Sequence, residues 1–164
     1  MGGDLGVDSV VGEGSTFWVD LPVADIPPLP EERWRGLASP KSSRSCTVLC
    51  IEDNPANLKL VEHVLGGRPG TTLLSAMQGQ LGVELAAEHV PDIILLDVHL
   101  PDIPGDEVLR RLRADSRTAD VPVVVISADA TDGQKSRMMA GGASAYLEKP
   151  LDIPRLLEVI EKHI

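Results

Sequence analysis

From Cys46 onward, short aliphatic runs alternate strictly with amphipathic segments, and that alternation leaves few folds open. The clearest run is Ile93-Ile94-Leu95-Leu96, preceded by Asp92 and ended by Asp97-Val98-His99-Leu100-Pro101. It is too short to span a membrane and has no apolar/polar alternation, so it reads as a strand buried on both faces of a parallel sheet. The same reading places a first strand at Cys46–Ile51, a second at Thr71–Ala76, a fourth at Pro122–Ser127 and a fifth at Ala143–Leu147. Asn54-Pro55 opens a helix with Leu58, Val61, Val64 and Leu65 on one face, closed by Gly66-Gly67. A second helix holds Leu81, Val83, Leu85 and Ala86 and runs to Val90-Pro91. The third follows Pro104-Gly105, with Val108, Leu109 and Leu112 inward and Arg110, Arg111 and Arg113 on the exposed side. Asp132–Ala140 is the fourth, stopped by Gly141-Gly142, and Pro154–His163 the last, with Leu156, Leu157, Val159 and Ile160 facing in. Right-handed crossovers make this a doubly wound α/β domain, with five parallel strands in the order 2-1-3-4-5 and helices on both faces.

Composition agrees with such a core. Only four residues are aromatic (Phe17, Trp18, Trp34 and Tyr146), so the interior after residue 45 must be built from Val, Ile, Leu and Ala. The formal charge of −10 disfavours nucleic acid or an anionic membrane as a partner, since both require phosphates to be neutralised by Lys and Arg. It suits a divalent cation. Cys46 and Cys50 lie in one strand with Cα atoms roughly 13 Å apart, beyond disulfide reach, and read as buried thiols of a reducing compartment. With no signal peptide and no apolar stretch of spanning length, the expected location is cytoplasmic.

The first 45 residues are of another kind. Leu5–Val11 and Thr16–Leu21 flank a Gly12-Glu13-Gly14-Ser15 turn, the pattern of a β-hairpin. Residues 25–45 carry Pro27, Pro28, Pro30 and Pro40, then Ser39, Ser42, Ser43 and Ser45, and read as a linker. Glu31–Leu37 has room for a short helix, with Trp34 as its docking residue.

Chemistry collects at the carboxyl ends of the strands. Glu52 and Asp53 follow the first, Asp97 ends the third, Ser127 ends the fourth, and Lys149 follows the fifth. In the order 2-1-3-4-5 these ends share one edge beside the switch point between strands 1 and 3, where ligands of open α/β sheets bind. Close carboxylate pairs would repel by about 4 kcal/mol each at an effective dielectric near 20. A divalent cation relieves this, and oxygen-only ligation points to Mg²⁺ or Mn²⁺ rather than zinc.

With these residues in place, the segment 46–164 resembles the receiver domain of bacterial response regulators. The matching residues are Glu52-Asp53, Asp97, Leu100-Pro101 with Gly105, Ser127-Ala128 and Lys149-Pro150. The resemblance implies a flavodoxin-like fold and a phosphorelay role, in which Asp97 takes a phosphoryl group from a phosphohistidine. By the same likeness Asp53, Asp97 and the backbone carbonyl of His99 ligate Mg²⁺, while Glu52 holds a metal-bound water. Lys149 pairs with a phosphoryl oxygen. Ser127 donates to another, and its movement lets Tyr146 rotate inward. The Lys149-Pro150 bond is expected to be cis, and Asp129 to tune hydrolysis of the acyl phosphate. Glu52 departs from the commoner Asp.

Residues 1–24 resemble the last two strands of the ATP-binding domain of sensor histidine kinases, through Met1-Gly2-Gly3-Asp4-Leu5-Gly6-Val7-Asp8-Ser9 and Gly12-Glu13-Gly14-Ser15-Thr16-Phe17 with Leu21-Pro22. The nucleotide-binding boxes of that family are not in this sequence, so no ATP binding is expected. Together the two likenesses imply a receiver from the C-terminal end of a hybrid histidine kinase, a self-phosphorylating acceptor with slow autodephosphorylation rather than an enzyme. Its implied partners are a histidine kinase or a histidine phosphotransfer domain, with a homodimer through the domain's fourth helix, fifth strand and fifth helix. With the last helix ending at Ile164, no DNA-binding domain is expected to follow, an expectation that argues against a transcription factor. His63, His89 and His163 are expected on helix surfaces. Two rivals stand beside this: a receiver-like binding module that is never phosphorylated, and a haloacid-dehalogenase-type phosphatase. The latter requires a second acid two residues after the first, where this chain has His99.

Overall fold

The computed structural model describes residues 4–10, 12, 14–20, 45–129 and 131–164. The helix expected at residues 31–37, with Trp34, lies outside them. The chain divides into two units. The first contains an antiparallel hairpin, β1 (Asp4–Val10) and β2 (Gly14–Asp20). Leu5 pairs with Val19 and Val7 with Phe17, so these four side chains share one face. The expected end residues Val11 and Leu21 fall outside the described residues.

The second unit alternates without interruption: β3 (Cys46–Ile51), α1 (Pro55–Gly66), β4 (Thr71–Ala76), α2 (Gly79–His89), β5 (Ile93–Asp97), α3 (Gly105–Ala114), β6 (Val123–Ser127), α4 (Asp132–Ala140), β7 (Ala145–Glu148) and α5 (Ile153–His163). All five strands are parallel, in the order β4-β3-β5-β6-β7, which is the expected 2-1-3-4-5.

Successive strand residues point to opposite faces, and both faces are covered. Val48, Cys50, Ile93, Leu95, Val124 and Ile126 join Leu58, Val61 and Leu65 of α1 and Leu156, Leu157 and Ile160 of α5 in one core. Leu49, Ile51, Ile94, Leu96, Val123 and Val125 join Ala86, Val108, Leu109 and Leu112 of α2 and α3 in the other. Every residue of β5 is buried, including Asp97. Asn54 caps α1, accepting from the Ala56 amide at 2.9 Å with Pro55 at the first helical position.

Three expectations need correction. The fifth strand runs from Ala145 to Glu148 rather than Ala143 to Leu147. Ala143 is buried before the ladder starts, and Ser144 spans the gap by donating its amide to Val123 and accepting the Val123 amide on its hydroxyl. Arg113 is not on an exposed face: it is half-buried and donates to the carbonyls of Thr118, Val121 and Gly142, tying the end of α3 to the chain around β6. His163 is also half-buried, its Nδ1 lying 2.8 Å from the Val159 carbonyl, whereas His63 and His89 are exposed as expected.

Helix α2 stops at His89, and Val90 caps it in the left-handed region at φ 44°. A β-branched residue there costs about 1–2 kcal/mol, and at 49% exposure its side chain recovers little by packing. Val90→Gly is expected to stabilise the domain by about 0.5–1 kcal/mol after the added unfolded-chain entropy is subtracted. A thermal melt should show Tm rising by roughly 2–4 °C. A fall in Tm would show that Val90 packs more than its exposure implies.

Candidate functional site

The side chains at the strand ends are placed by backbone ladders that run one residue past each strand. Glu52 donates its amide to Ala76 at 3.0 Å, and Lys149 donates its amide to Ser127 at 2.8 Å. Parallel register then brings Ile51 beside Leu96, Asp97 beside Ile126, and Ser127 beside Glu148, so all the expected residues arrive at one edge.

Lys149 lies at the centre. Its Nζ donates to Asp97 Oδ2 at 2.7 Å and to Glu52 Oε2 at 2.8 Å. Both acidic side chains are 4% exposed, and the lysine is 20% exposed. Burial works against the ammonium, yet the hydrogen bonds to Asp97 and Glu52 outweigh it and hold the group above its ordinary value of 10.5. The lysine is therefore charged at neutral pH.

Carboxylate oxygens of Glu52, Asp53 and Asp97 lie within 4.8 Å of one another, with Asp53 the most open of the three. One ammonium among three carboxylates leaves two negative charges uncompensated, which is the charge of a divalent cation. The donors are all oxygen, so the residues fit a hard ion such as Mg²⁺ or Mn²⁺. The His99 side chain is exposed, and its amide donates to Asp97 Oδ1 at 3.1 Å.

Ser127 is fully buried, and its Oγ accepts the Asp129 amide at 3.0 Å. Tyr146 is half-buried against the α2 and α3 core and donates its hydroxyl to the Asp129 carbonyl. Asp129 links the two, its amide on the serine and its carbonyl on the tyrosine. The Lys149-Pro150 bond is cis, as expected. Cys50 is buried near these charges, and burial foremost pushes its thiol up to about 12, which removes it as a nucleophile.

Three contributors escaped the sequence reading. Asn57 donates its Nδ2 to Glu52 Oε1 at 2.9 Å. It stands three residues after the cap Asn54, the spacing at which a capping-box side chain reaches back, and that spacing was the available signal. Gln134, in the first turn of α4, places its Nε2 3.5 Å from Ser127 Oγ. Asp102 accepts the amides of Gly79 and Gln80 at 2.7 and 2.8 Å, capping α2 from a distant loop because Gln78 supplies no side-chain cap. The Gln80 amide, with that of Gly79, holds its carboxyl below the ordinary range.

Residues 48–161 match the family model of the response regulator receiver domain. Over 118 residues the chain is 35% identical to the polar-differentiation response regulator DivK of Brucella ovis, an alignment covering 72% of this chain and 95% of that protein. Among solved structures it is similar to the receiver domain of the sensor histidine kinase PA1611 from Pseudomonas aeruginosa PAO1, which has a magnesium ion coordinated in its active-site cleft. That similarity has a TM-score of 0.67 and 28% identity, covering 73% of this chain and 97% of that one. Chemotaxis protein CheY4 of Vibrio cholerae superposes with a TM-score of 0.68 over 73% of this chain and 98% of its own, at 24% identity, and supports the fold.

Proposed function

Because the chain belongs to the response regulator receiver domain family, we propose that it accepts a phosphoryl group on Asp97 from a phosphohistidine donor in a phosphorelay. The observation that carries this reading is the buried Asp97 carboxylate held against a charged lysine and two further acids. A lone pair on an Asp97 oxygen forms the new O–P bond. The P–N bond to the donor imidazole breaks, and its electron pair returns to the ring nitrogen. Lys149 has three N–H donors and a second acceptor in Glu52, so it can follow a phosphoryl oxygen without losing its place. Ser127 Oγ serves as an acceptor for Asp129, which leaves its own proton free to donate to another phosphoryl oxygen. Asp53, Asp97 and the His99 carbonyl would hold Mg²⁺. When bound, the ion supplies charge neutralisation and Lewis-acid stabilisation at the transferring group.

The hydrogen bonds from Ser127 through Asp129 to Tyr146 offer a route by which phosphorylation alters α4, β7 and α5, the surface proposed for a downstream partner or a second receiver. The donor in this reading is a histidine kinase or histidine phosphotransfer domain. The parent protein is a hybrid sensor kinase, supported by the kinase-like hairpin and by the similarity to a receiver that itself comes from a sensor histidine kinase. Among the described residues no helix is long and apolar enough to cross a membrane. The phosphatase rival finds His99 where it needs its second acid.

Incubation with Mg²⁺ and acetyl phosphate is expected to add one hydroxylamine-labile phosphoryl group by intact mass, and Asp97→Asn to add none. No adduct on the wild type, or an undiminished adduct on the variant, would remove the assignment. Chelation by EDTA is expected to abolish uptake.

A further inference from the structure

Glu52 is buried, one methylene longer than aspartate, and has three donors on its two oxygens. Its Oε2 takes Lys149, while Oε1 takes Asn57 Nδ2 at 2.9 Å and the Asn54 amide at the longer 3.2 Å. Only the amide nitrogen of Asn57 can donate to a carboxylate, so chemistry fixes which way that side chain is turned. Its helix is fixed too: Leu58 and Val61, just beyond it, are buried in the core, and Asn54 and Pro55 start the helix. The side chain holding Oε1 is therefore anchored to a rigid element, and Oε2 is left facing the lysine.

We propose that Asn57 is a positioning residue for phosphoryl transfer, which orients Glu52 so that Glu52 in turn holds Lys149 over Asp97. The inference rests on the receiver reading above and assigns Glu52 a role distinct from holding a metal-bound water. Without Asn57, Oε1 keeps only its long bond to Asn54, the carboxylate turns about its last torsion, and Lys149 loses one of its two acceptors. A lysine displaced by a fraction of an ångström no longer meets the phosphoryl oxygen where charge develops.

Asn57→Ala is expected to slow phosphoryl uptake from acetyl phosphate about tenfold. Asn57→Asp, isosteric but unable to donate and carrying a like charge toward Glu52, is expected to slow it further, by about thirtyfold. In a Lys149→Met background either substitution should change the rate by less than about twofold, because the residues act as one chain. Amine acetylation followed by mass spectrometry gives a readout independent of phosphoryl chemistry. Lys149 should label several-fold faster in Asn57→Ala, with the exposed Lys59 and Lys162 as unchanged references. Wild-type labelling of Lys149 in both variants, or full additivity with Lys149→Met, would overturn the proposal. A wild type that takes up no phosphoryl group while Asn57→Ala shows the labelling response would remove the phosphorelay reading and leave the Asn57–Glu52–Lys149 chain standing.

Discussion

Replacing Lys149 by methionine is expected to cut phosphoryl uptake about a hundredfold while tightening the binding of Mg²⁺, two effects of opposite sign from one substitution. Uptake falls because the ammonium is, among the described residues, the one cationic side chain on Asp97, at 2.7 Å. Metal binding tightens because three clustered carboxylates then face the ion with no lysine sharing their charge. Folding should suffer as well. Removing one partner of a buried pair leaves the others uncompensated at about 3–5 kcal/mol, and a lysine 20% exposed places this site near the lower end. In EDTA that corresponds to a Tm lower by roughly 10 °C, with Mg²⁺ recovering more of it than in the wild type. The penalty should stay constant across the neutral range. A raised lysine pKa means that its contribution is complete below the ordinary 10.5 and is lost only as pH climbs through the higher folded value. Isothermal titration with Mg²⁺, thermal melts with and without EDTA, and acetyl phosphate uptake measure the three effects. Weaker Mg²⁺ binding in the variant would show that Lys149 organises the acids rather than competing for them.

The sheet order and the four strand ends were legible because both rest on local pattern plus a chirality rule. Four-residue aliphatic runs admit burial on two faces, and right-handed crossovers then send Glu52, Asp97, Ser127 and Lys149 to one edge without any knowledge of side-chain packing. What escaped depends on partners that no local pattern names. Asp102 looks like a turn residue, yet its role is to cap a helix that begins 23 positions earlier. Arg113 matches its solvent-facing neighbours in charge, but the carbonyls that hold it belong to the turn before β6 and to the Gly142 corner. The fifth strand started late because Ala143 is apolar without being part of the ladder, and burial alone does not separate a strand residue from a buried corner. Tyr146 was placed correctly on that strand, but its bond to the Asp129 carbonyl depends on loop conformation, which the sequence does not encode in any pairwise spacing.

The loop after Asp97 gives the second large effect, in Gly105→Ala. Gly105 opens α3, and its amide donates to the Val98 carbonyl at 2.9 Å, so the helix start folds directly back onto the strand end. A Cβ at this position would stand 2.7 Å from both the Asp97 carbonyl oxygen and Val98 Cα, and 3.2 Å from the Val98 carbonyl oxygen. These neighbours are all backbone, and one is the carbonyl of the proposed phosphoryl acceptor, so no rotamer change relieves the contact. Either the helix start retreats or the strand end does. Overpacking of this kind costs about 1–3 kcal/mol, and in a domain of this size Tm should fall by roughly 4–12 °C. The displacement also reaches Asp97, whose Oδ1 is tied to the His99 amide in the same turn. Phosphoryl uptake is therefore expected to drop about a hundredfold, more than the stability loss alone would produce while the protein remains folded. Gly79→Ala separates the two causes. Its Cβ would press on the Ile103 and Val108 side chains and the Ile103 carbonyl oxygen on the α2 side of the loop, away from the Asp97 carbonyl. It should destabilise the domain while sparing uptake more than Gly105→Ala does. Equal losses of uptake in the two variants at matched stability would mean that the loop transmits any strain to Asp97, and that direct contact with Gly105 has no special part.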